Sequence, residues 1–179
     1  FCINGCDDRG FAPEKYPHTR TSNALSLRGS YFLAYRAALH GDYKIFEDSW
    51  GISATTAEIG YSHPFTDFIV DLRYRVYSQT KADFYSDLFT TQDEFNFMAR
   101  DKELSTFDSV AFGTTISYNI AKNGWWLFEK GSVNLSWDHI EFTYKDFRNV
   151  PLGPTARTEP LFAFGADVTA NEEVWNHPA

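Results

Sequence analysis

The chain has 179 residues, a formal net charge of -8 and an aromatic content of 18%, and its length suits a single domain. The acidic balance excludes a typical nucleic-acid-binding protein, because arginine and lysine are interleaved with acids and form no basic stripe. Transmembrane helices are excluded as well, since no run approaches the roughly 20 apolar residues that such a helix needs. Strands of a membrane β-barrel require only alternation and therefore remain possible.

Residues 1–21 contain several turn-forming residues and no periodicity, which predicts an irregular segment. Cys2 and Cys6 lie within it, and their spacing fits a small disulfide loop in an oxidising compartment or two free thiols. A metal site is disfavoured, because no neighbouring histidine or cysteine completes a set of ligands. No signal peptide is recognisable at the start, so we expect that a signal has been removed or that the chain begins inside a longer protein.

Alternation of apolar and polar residues then predicts seven antiparallel strands. The expected strands cover residues 22–33, 36–46, 52–62, 68–79, 108–120, 131–144 and 159–169. In the fourth, the apolar positions are Phe68, Val70, Leu72, Tyr74 and Val76, and the alternate positions include Asp71, Arg73, Arg75 and Gln79. Full charges would be costly in a packed core but are stable beside a water-filled lumen. The pattern therefore predicts an antiparallel transmembrane β-barrel.

The sixth strand departs from simple alternation. Its apolar positions begin with Val133 and Trp137 and then shift by one residue to Ile140. A shift of this kind predicts a β-bulge at Asp138 and His139.

Two long connections, at 80–107 and 145–158, alternate with tight turns. Because neighbouring strands run in opposite directions, both fall on the same side of the barrel, which is extracellular in outer-membrane barrels. The segment 1–21 then lies outside the cell, the strands span 22–170, and 171–179 forms a polar tail. Bacterial barrels have even strand numbers, so we expect the seven or eight strands seen here to be the C-terminal part of a larger barrel, or to close with strands from elsewhere.

The polar faces of the strands carry a mixed set of charged residues, which we expect to line the lumen. The set comprises Arg28, Arg36, His40, Asp42, Lys44, Glu58, Asp71, Arg73 and Arg75, with Asp138 as a further candidate. Such residues can set the selectivity of a pore, hold a plug or partner, or form an internal salt-bridge network that fills a narrow barrel. The mixed signs favour the network, since a selective pore usually shows one sign in excess.

The connection at 80–107 combines aromatic residues with many acids. It can form a surface that binds a ligand or protein, a constriction folded into the lumen, a calcium site, or a self-packed loop on the rim. Calcium is disfavoured because the D-x-[DN]-x-[DN]-G spacing is absent.

No sequence motif indicates an enzyme. The G-x-S-x-G, H-E-x-x-H and glycine-rich phosphate-binding patterns are all absent. His139 is the one histidine expected near the outer rim, and its neighbour Asp138 should point to the opposite face of the strand. We therefore predict no catalytic residue, no metal and no cofactor.

Four segments carry a resemblance to a known family. They are TAEIGYSHPF at 56–65, LRYRVYSQTKADFYSDLF at 72–89, ARDKELSTF at 99–107 and EPLFAFGADV at 159–168. With them the chain, from about Arg20 to Val168, resembles an uncharacterised family of Gram-negative outer-membrane barrels, domain of unknown function 3570. The resemblance implies an outer-membrane location and a barrel about twice this length, with no known activity. The polar end NEEVWNHPA departs from the membrane strand with a final aromatic residue that such a protein should have.

The leading hypothesis is a non-enzymatic outer-membrane β-barrel that serves as a pore or as the membrane anchor of an envelope assembly. The alternative is a plugged barrel that acts as a protein-interaction scaffold, and a third hypothesis is a hydrolase at the rim centred on His139. A soluble lipocalin-like barrel is the structural rival. The expected partners are outer-membrane lipid and, through 80–107, other envelope proteins; nucleic acid is not expected.

Overall fold

The computed structural model describes residues 2–3, 8–9, 12–120, 130–148 and 156–171, with side chains described at 12–120 and 131–148. The strands in these ranges are β1 (Cys2–Ile3), β2 (Asp8–Arg9), β3 (Ser22–Phe32), β4 (Ala38–Asp48), β5 (Ser53–Pro64), β6 (Phe68–Gln79), β7 (Phe107–Asn119), β8 (Lys130–Arg148) and β9 (Ala156–Asn171). The described helical structure is a single 3-10 turn at Lys102–Leu104. None of the helical residues in the described ranges forms a segment long and apolar enough to cross a membrane.

The seven long strands form one antiparallel sheet in which each strand pairs with the next along the chain, from β3 to β9. β1 and β2 form a separate antiparallel pair. The predicted all-β, antiparallel architecture is confirmed. Within the described chain the outer sides of β3 and β9 are unpaired, so the sheet is open.

The sheet has two chemically different faces, because directly paired residues of neighbouring antiparallel strands point to the same side. One row passes through Ile59, Tyr74 and Phe112, and we call this side the apolar face. The opposite side contains the adjacent pair Glu58 and Arg75, and we call it the polar face. The period-two pattern of the sequence therefore produces the two faces directly.

The connections gather at the two ends of the strands. At one end, the loop end, lie the segment 12–21, the turn 49–52 and the long connection 80–106. At the other, the turn end, lie the tight connections 33–37 and 65–67. The loop end therefore contains nearly all of the described irregular structure.

The predicted bulge at Asp138 and His139 is wrong. β7 and β8 pair without interruption, with Asp138 opposite Gly113 and His139 opposite Phe112. Instead, the shifted apolar residues Ile140, Phe142 and Tyr144 lie on the polar face at the loop end. There Phe142 and Tyr144 pack with Phe107, at ring-centroid distances of 5.9 and 5.4 Å. The polar face becomes apolar where the loop end covers it. The shift of the apolar positions along β8 therefore requires no bulge in the pairing of β7 with β8.

Arg36 does not lie on a strand, contrary to the predicted strand at 36–46. Strand β4 begins at Ala38, and Arg36 has the left-handed φ of 68° in the preceding turn. The turn is closed by the Leu33 N–H, which donates to the Ala37 carbonyl at 2.8 Å. Arg36 therefore does not belong to the row of charges on the polar face.

Three predictions concern residues that lie outside the part of the chain described by the structure. The Cys2–Cys6 disulfide cannot be compared, because Cys6 and the side chain of Cys2 lie outside it. The same holds for 149–155 within the second long connection and for the predicted tail beyond Asn171. The predicted ends of that connection are wrong, because 145–148 belong to β8 and 156–158 to β9.

The buried core lies at the loop end instead of beneath the sheet. It consists of Ile52, Ala82, Tyr85, Ala99 and Leu104. Phe46, Trp50 and Phe84 pack around this core. No second sheet or helical layer covers either face within the described residues. The part of the molecule that is folded around a core is thus the set of loops that meets the polar face.

Candidate functional site

A row of charges crosses four strands of the polar face. Arg28, Asp42, Glu58 and Arg75 are successive partners in β3, β4, β5 and β6. Nε of Arg28 donates to the Asp42 carboxylate at 2.8 Å. The outer cations flank two acids, so the charges of the row balance.

A second ion pair spans two strands. Nη2 of Arg73 on β6 lies 2.6 Å from Oδ1 of Asp138 on β8, and the pair passes over Gly113 of the intervening β7. A Cβ at position 113 would overlap Oδ1 of Asp138 and lie 3.1 Å from Nη2 of Arg73. The glycine is therefore the residue that permits this contact.

A hydrogen-bonded chain runs across β3 to β6 nearer the turn end. Nδ1 of His40 lies 3.1 Å from the hydroxyl of Ser30, and its Nε2 lies 3.3 Å from the hydroxyl of Ser62. The Ser62 hydroxyl also donates to Asp71. In a catalytic triad the carboxylate orients the histidine, which in turn activates a serine. Here the carboxylate of Asp71 contacts Ser62 and not His40, so the order of the groups differs from that of a triad.

His139, the centre of the hydrolase hypothesis, lies on the apolar face. Its ring stacks on Trp137 at 6.4 Å, whereas Asp138 lies on the polar face. The structure therefore places these two neighbours on opposite sides of the sheet.

The loop end folds over the polar face as a cap, which we define as segments 12–21 and 80–106. Gln79, the last residue of β6, is 7% exposed. Its amide nitrogen donates to the carbonyls of Glu103 and Ser105, both at 2.9 Å, and its oxygen accepts the Tyr77 hydroxyl at 2.6 Å. One buried side chain thus ties the cap to the end of the sheet.

Further bonds fix the cap to β8. Oδ1 of Asp146 accepts the Thr106 N–H at 2.8 Å, and the Lys145 N–H donates to the Thr106 carbonyl at 2.9 Å. The Arg100 guanidinium donates to the Asp87 carboxylate through Nε and Nη2, at 3.2 and 3.1 Å. The bonds of Thr106 hold the end of the long connection against β8, and the bonds of Arg100 close the connection on itself.

The two segments of the cap also bind one another. Lys15 and Met98 exchange two backbone hydrogen bonds of 2.9 Å. The Tyr16 hydroxyl donates to Glu14, and this acceptance by a carboxylate raises the pKa of Tyr16 to about 12. Tyr85 is buried in the core of the loop end, and this burial raises the pKa of its hydroxyl above the usual value for tyrosine. The cap is therefore a packed unit of its own.

Arg20 connects the cap to the turn 49–52. Its Nε donates to Oδ2 of Asp48 at 2.7 Å, and its guanidinium lies 4.5 Å from the centre of the Trp50 ring. The Asp48 side chain is fully buried, and its Oδ1 accepts the N–H groups of Trp50 and Ile52 at 2.9 and 3.0 Å. Burial and shared hydrogen bonds make this a well-ordered ion pair.

Between the cap and the polar face lies a cavity of about 460 Å³. Its sheet side is lined by Lys44, Phe46, Ala54, Thr56, Tyr77 and Gln79, its cap side by Tyr16, Arg20, Asp101, Glu103 and Leu104, and the turn 49–52 contributes Trp50 and Ile52. The volume is within the usual range for small-molecule sites. This cavity is the most developed candidate site in the described residues.

Sequence analysis identified Lys44 but missed Tyr16, Arg20 and Trp50, which lie in segments without periodicity. Their contacts join residues that are about 30 positions apart, such as Trp50 Nε1 to the Thr19 carbonyl at 3.0 Å. Apart from Arg36, which lies in the turn 33–37, the remaining predicted charges lie on the polar face outside this cavity. Among the described residues no cluster of three or more His, Cys, Asp or Glu side chains could hold a metal ion.

The family described as "protein of unknown function (DUF3570)" has a model that matches residues 2–130, which include β3 to β7 and the cap. The chain belongs to this family. No curated protein and no solved structure gives a match. The family inferred from the sequence is thus confirmed, although the match ends before the resembling segment at 159–168, and the family's description assigns no activity and no location to its members.

Proposed function

We propose that this family member forms part of the wall of a transmembrane β-barrel in the bacterial outer membrane, and that the barrel acts as a pore or as the membrane anchor of an envelope assembly. The supporting observation is the apolar face. Large hydrophobic side chains on it are exposed, from 37% for Leu72 to 76% for Leu27. The set includes Leu25, Leu27, Tyr43, Ile59, Leu72, Tyr74, Val76, Val110, Phe112, Ile116, Tyr118, Leu135 and Trp137.

The height of this face suits a bilayer. On β6 the apolar positions run from Phe68 to Val76, nine residues that cover about 27 Å at roughly 3.4 Å per residue. With the tilt of about 40° that is usual for membrane barrels, the band is about 20 Å tall, close to the known value of about 25 Å. At the loop end the same face turns polar, with Ser78 and Asp108 paired.

An aromatic cluster borders the band at the turn end. The ring of His63 lies 4.5 Å from that of Phe65, which lies 4.6 Å from Phe68, and Tyr35 and Tyr61 flank the histidine at 5.8 and 6.0 Å. Aromatic residues of this kind are typical of the membrane–water interface. A lipid-facing apolar band is expected to have polar or interfacial aromatic residues at both of its borders. Here Ser78 and Asp108 border the band at the loop end, and the aromatic cluster borders it at the turn end.

Strand direction indicates how a barrel would close. β3 and β9 point the same way, because six successive antiparallel pairings separate them. Direct pairing of these edges would be parallel, whereas bacterial barrels are antiparallel throughout. Antiparallel closure therefore needs an odd number of further strands beyond this sheet.

A pair of arginine substitutions tests the membrane assignment. Leu72→Arg puts a charge in the middle of the apolar face, and we expect it to destabilise the protein folded in lipid vesicles by about 2–4 kcal/mol. Ser78→Arg, on the same face at the loop end, should cost about 0–1 kcal/mol. Denaturant titration with the heat-modifiable gel band as readout measures both. Equal, small effects would contradict the proposal, because Leu72 is already exposed and a water-facing site would tolerate the charge.

The cap favours a second candidate, a closed barrel that serves as an interaction scaffold. Its residues fold over the polar face, which would be the lumen of the barrel, instead of standing away from it. Conductance in planar bilayers separates the two functions, since a pore gives discrete current steps and a plugged scaffold gives none. If Gln79→Leu converts a silent protein to a conducting one, the cap is the plug.

A further inference from the structure

We propose that the cavity beneath the cap binds a small zwitterion, such as a free amino acid or a short peptide with unmodified ends. The site needs only the cap and the polar face, both present in the described residues. It therefore stands independently of whether the sheet closes into a membrane barrel.

The charges that line the cavity are divided between its two sides. Lys44 comes from β4 in the sheet, and Asp101 and Glu103 come from the 3-10 turn of the cap and the residue before it. Arg20 also lines the cavity, but its charge is neutralised by the buried carboxylate of Asp48. The lining thus presents a cation at the sheet and acids at the cap.

Two of these charges are available to a ligand. Among the described residues, neither the Lys44 ammonium nor the Glu103 carboxylate forms an ion pair or hydrogen bond, and both are exposed. Asp101, by contrast, accepts the Glu103 N–H at 3.1 Å as the cap of the 3-10 turn. A ligand carboxylate would approach Lys44, and a ligand ammonium would approach Glu103.

The walls between these charges are aromatic and apolar. Trp50, Tyr16, Phe46 and Tyr77 all line the cavity. Apolar walls with a few placed polar groups are usual for small-molecule sites. A molecule with one charge would leave either Lys44 or Glu103 without a counter-ion, whereas a zwitterion satisfies both.

Trp50 provides the readout for the test. The purified protein in detergent is titrated with the dipeptide alanylglycine while tryptophan fluorescence is recorded. N-acetyl-alanylglycine, an anion, and alanylglycinamide, a cation, keep the skeleton and remove one charge each. We expect the zwitterion to bind about fivefold more tightly than either analogue, as for one partly exposed ion pair.

Substitutions then locate the site. Lys44→Gln and Glu103→Gln should each weaken alanylglycine binding about fivefold. The matched controls are Glu47→Gln, on the same strand but the opposite face, and Lys81→Gln, in the loop but outside the cavity lining; both should change binding less than about twofold. The exchange variant K44E/E103K should bind more tightly than either single variant, which a mere folding defect would not produce.

The proposal is overturned if alanylglycine does not bind at tens of millimolar. It is also overturned if the anionic analogue binds as tightly as the dipeptide, or if the control substitutions weaken binding as much as those in the cavity. Failure of this test would leave the membrane assignment untouched, because that assignment depends on Leu72→Arg and Ser78→Arg.

Discussion

Replacing Gln79 by leucine should release the cap from the sheet. The substitution keeps the volume of this buried side chain and removes all three of its hydrogen bonds, to Glu103, Ser105 and Tyr77. The carbonyl of Ser105, a residue that is 0% exposed, would lose a donor that water cannot easily replace. The backbone pairing of β6 is unchanged, so the effect should be confined to the cap.

The size of the effect follows from these contacts. Each hydrogen bond contributes about 1 kcal/mol net, and two of the three join Gln79 to the cap, because Tyr77 lies on β6 itself. The substitution therefore weakens the docking of the cap by about 2 kcal/mol, which increases the population of the open cap about 30-fold. Because the cap opens locally, the increase should be visible without unfolding of the sheet.

Hydrogen exchange of the amides in 80–106 measures this opening. Exchange should become about 30-fold faster in Gln79→Leu, while amides of β5 and β7 keep their wild-type protection. Tyr77→Phe is the matched control: it removes only the 2.6 Å bond within β6 and should leave exchange of the cap nearly unchanged. If the loop exchanges at the wild-type rate in Gln79→Leu, the cap is not held by this residue and the argument fails.

Three further changes have defined outcomes. Gly113→Ala should destabilise the protein by about 1 kcal/mol in a denaturant titration, because the new Cβ displaces the half-exposed ion pair of Arg73 and Asp138. In an Asp138→Ala background this loss of stability should nearly vanish. Since burial raises the pKa of Tyr85, the stability it provides is present below about pH 10 and declines as the pH rises further; proteolysis of the cap should accelerate as the pH rises above about 10, less so in Tyr85→Phe. Arg100→Lys should loosen the cap by about 1 kcal/mol in hydrogen exchange, because an ammonium cannot donate to Oδ1 of Asp87 through two nitrogens at once.

The sheet could be predicted because its information is local. Alternation assigns each residue to a face, and the face then follows from register, as with Glu58 beside Arg75. Arg36 shows the limit of this method. Its place depends on where the turn begins, and alternation carries no signal for a residue of positive φ that precedes the strand.

The error at Asp138 has a different cause. The prediction assumed that the polar face stays polar over its whole length, so the appearance of Ile140 on that face had to be explained by a bulge. In the structure, the cap covers this end of the sheet, and Tyr144 beside it is only 6% exposed. The burial comes from residues some 40 positions earlier, such as Thr106, whose N–H bonds to Asp146. The alternation of residues within one strand does not indicate a contact with a distant part of the chain.

The apolar face of the sheet is not covered by the buried core. The core of the described residues lies at the loop end, so packing against a second layer does not cover the apolar face there. With roughly 150–250 Å² for each large aromatic side chain, the partly exposed residues of that face present roughly 1,000 Å² of apolar surface. Monomeric soluble proteins rarely expose patches above about 300–600 Å². This exposed apolar surface is the main support for the proposal that lipid covers the face, together with the apolar positions from Phe68 to Val76 and the aromatic cluster around His63.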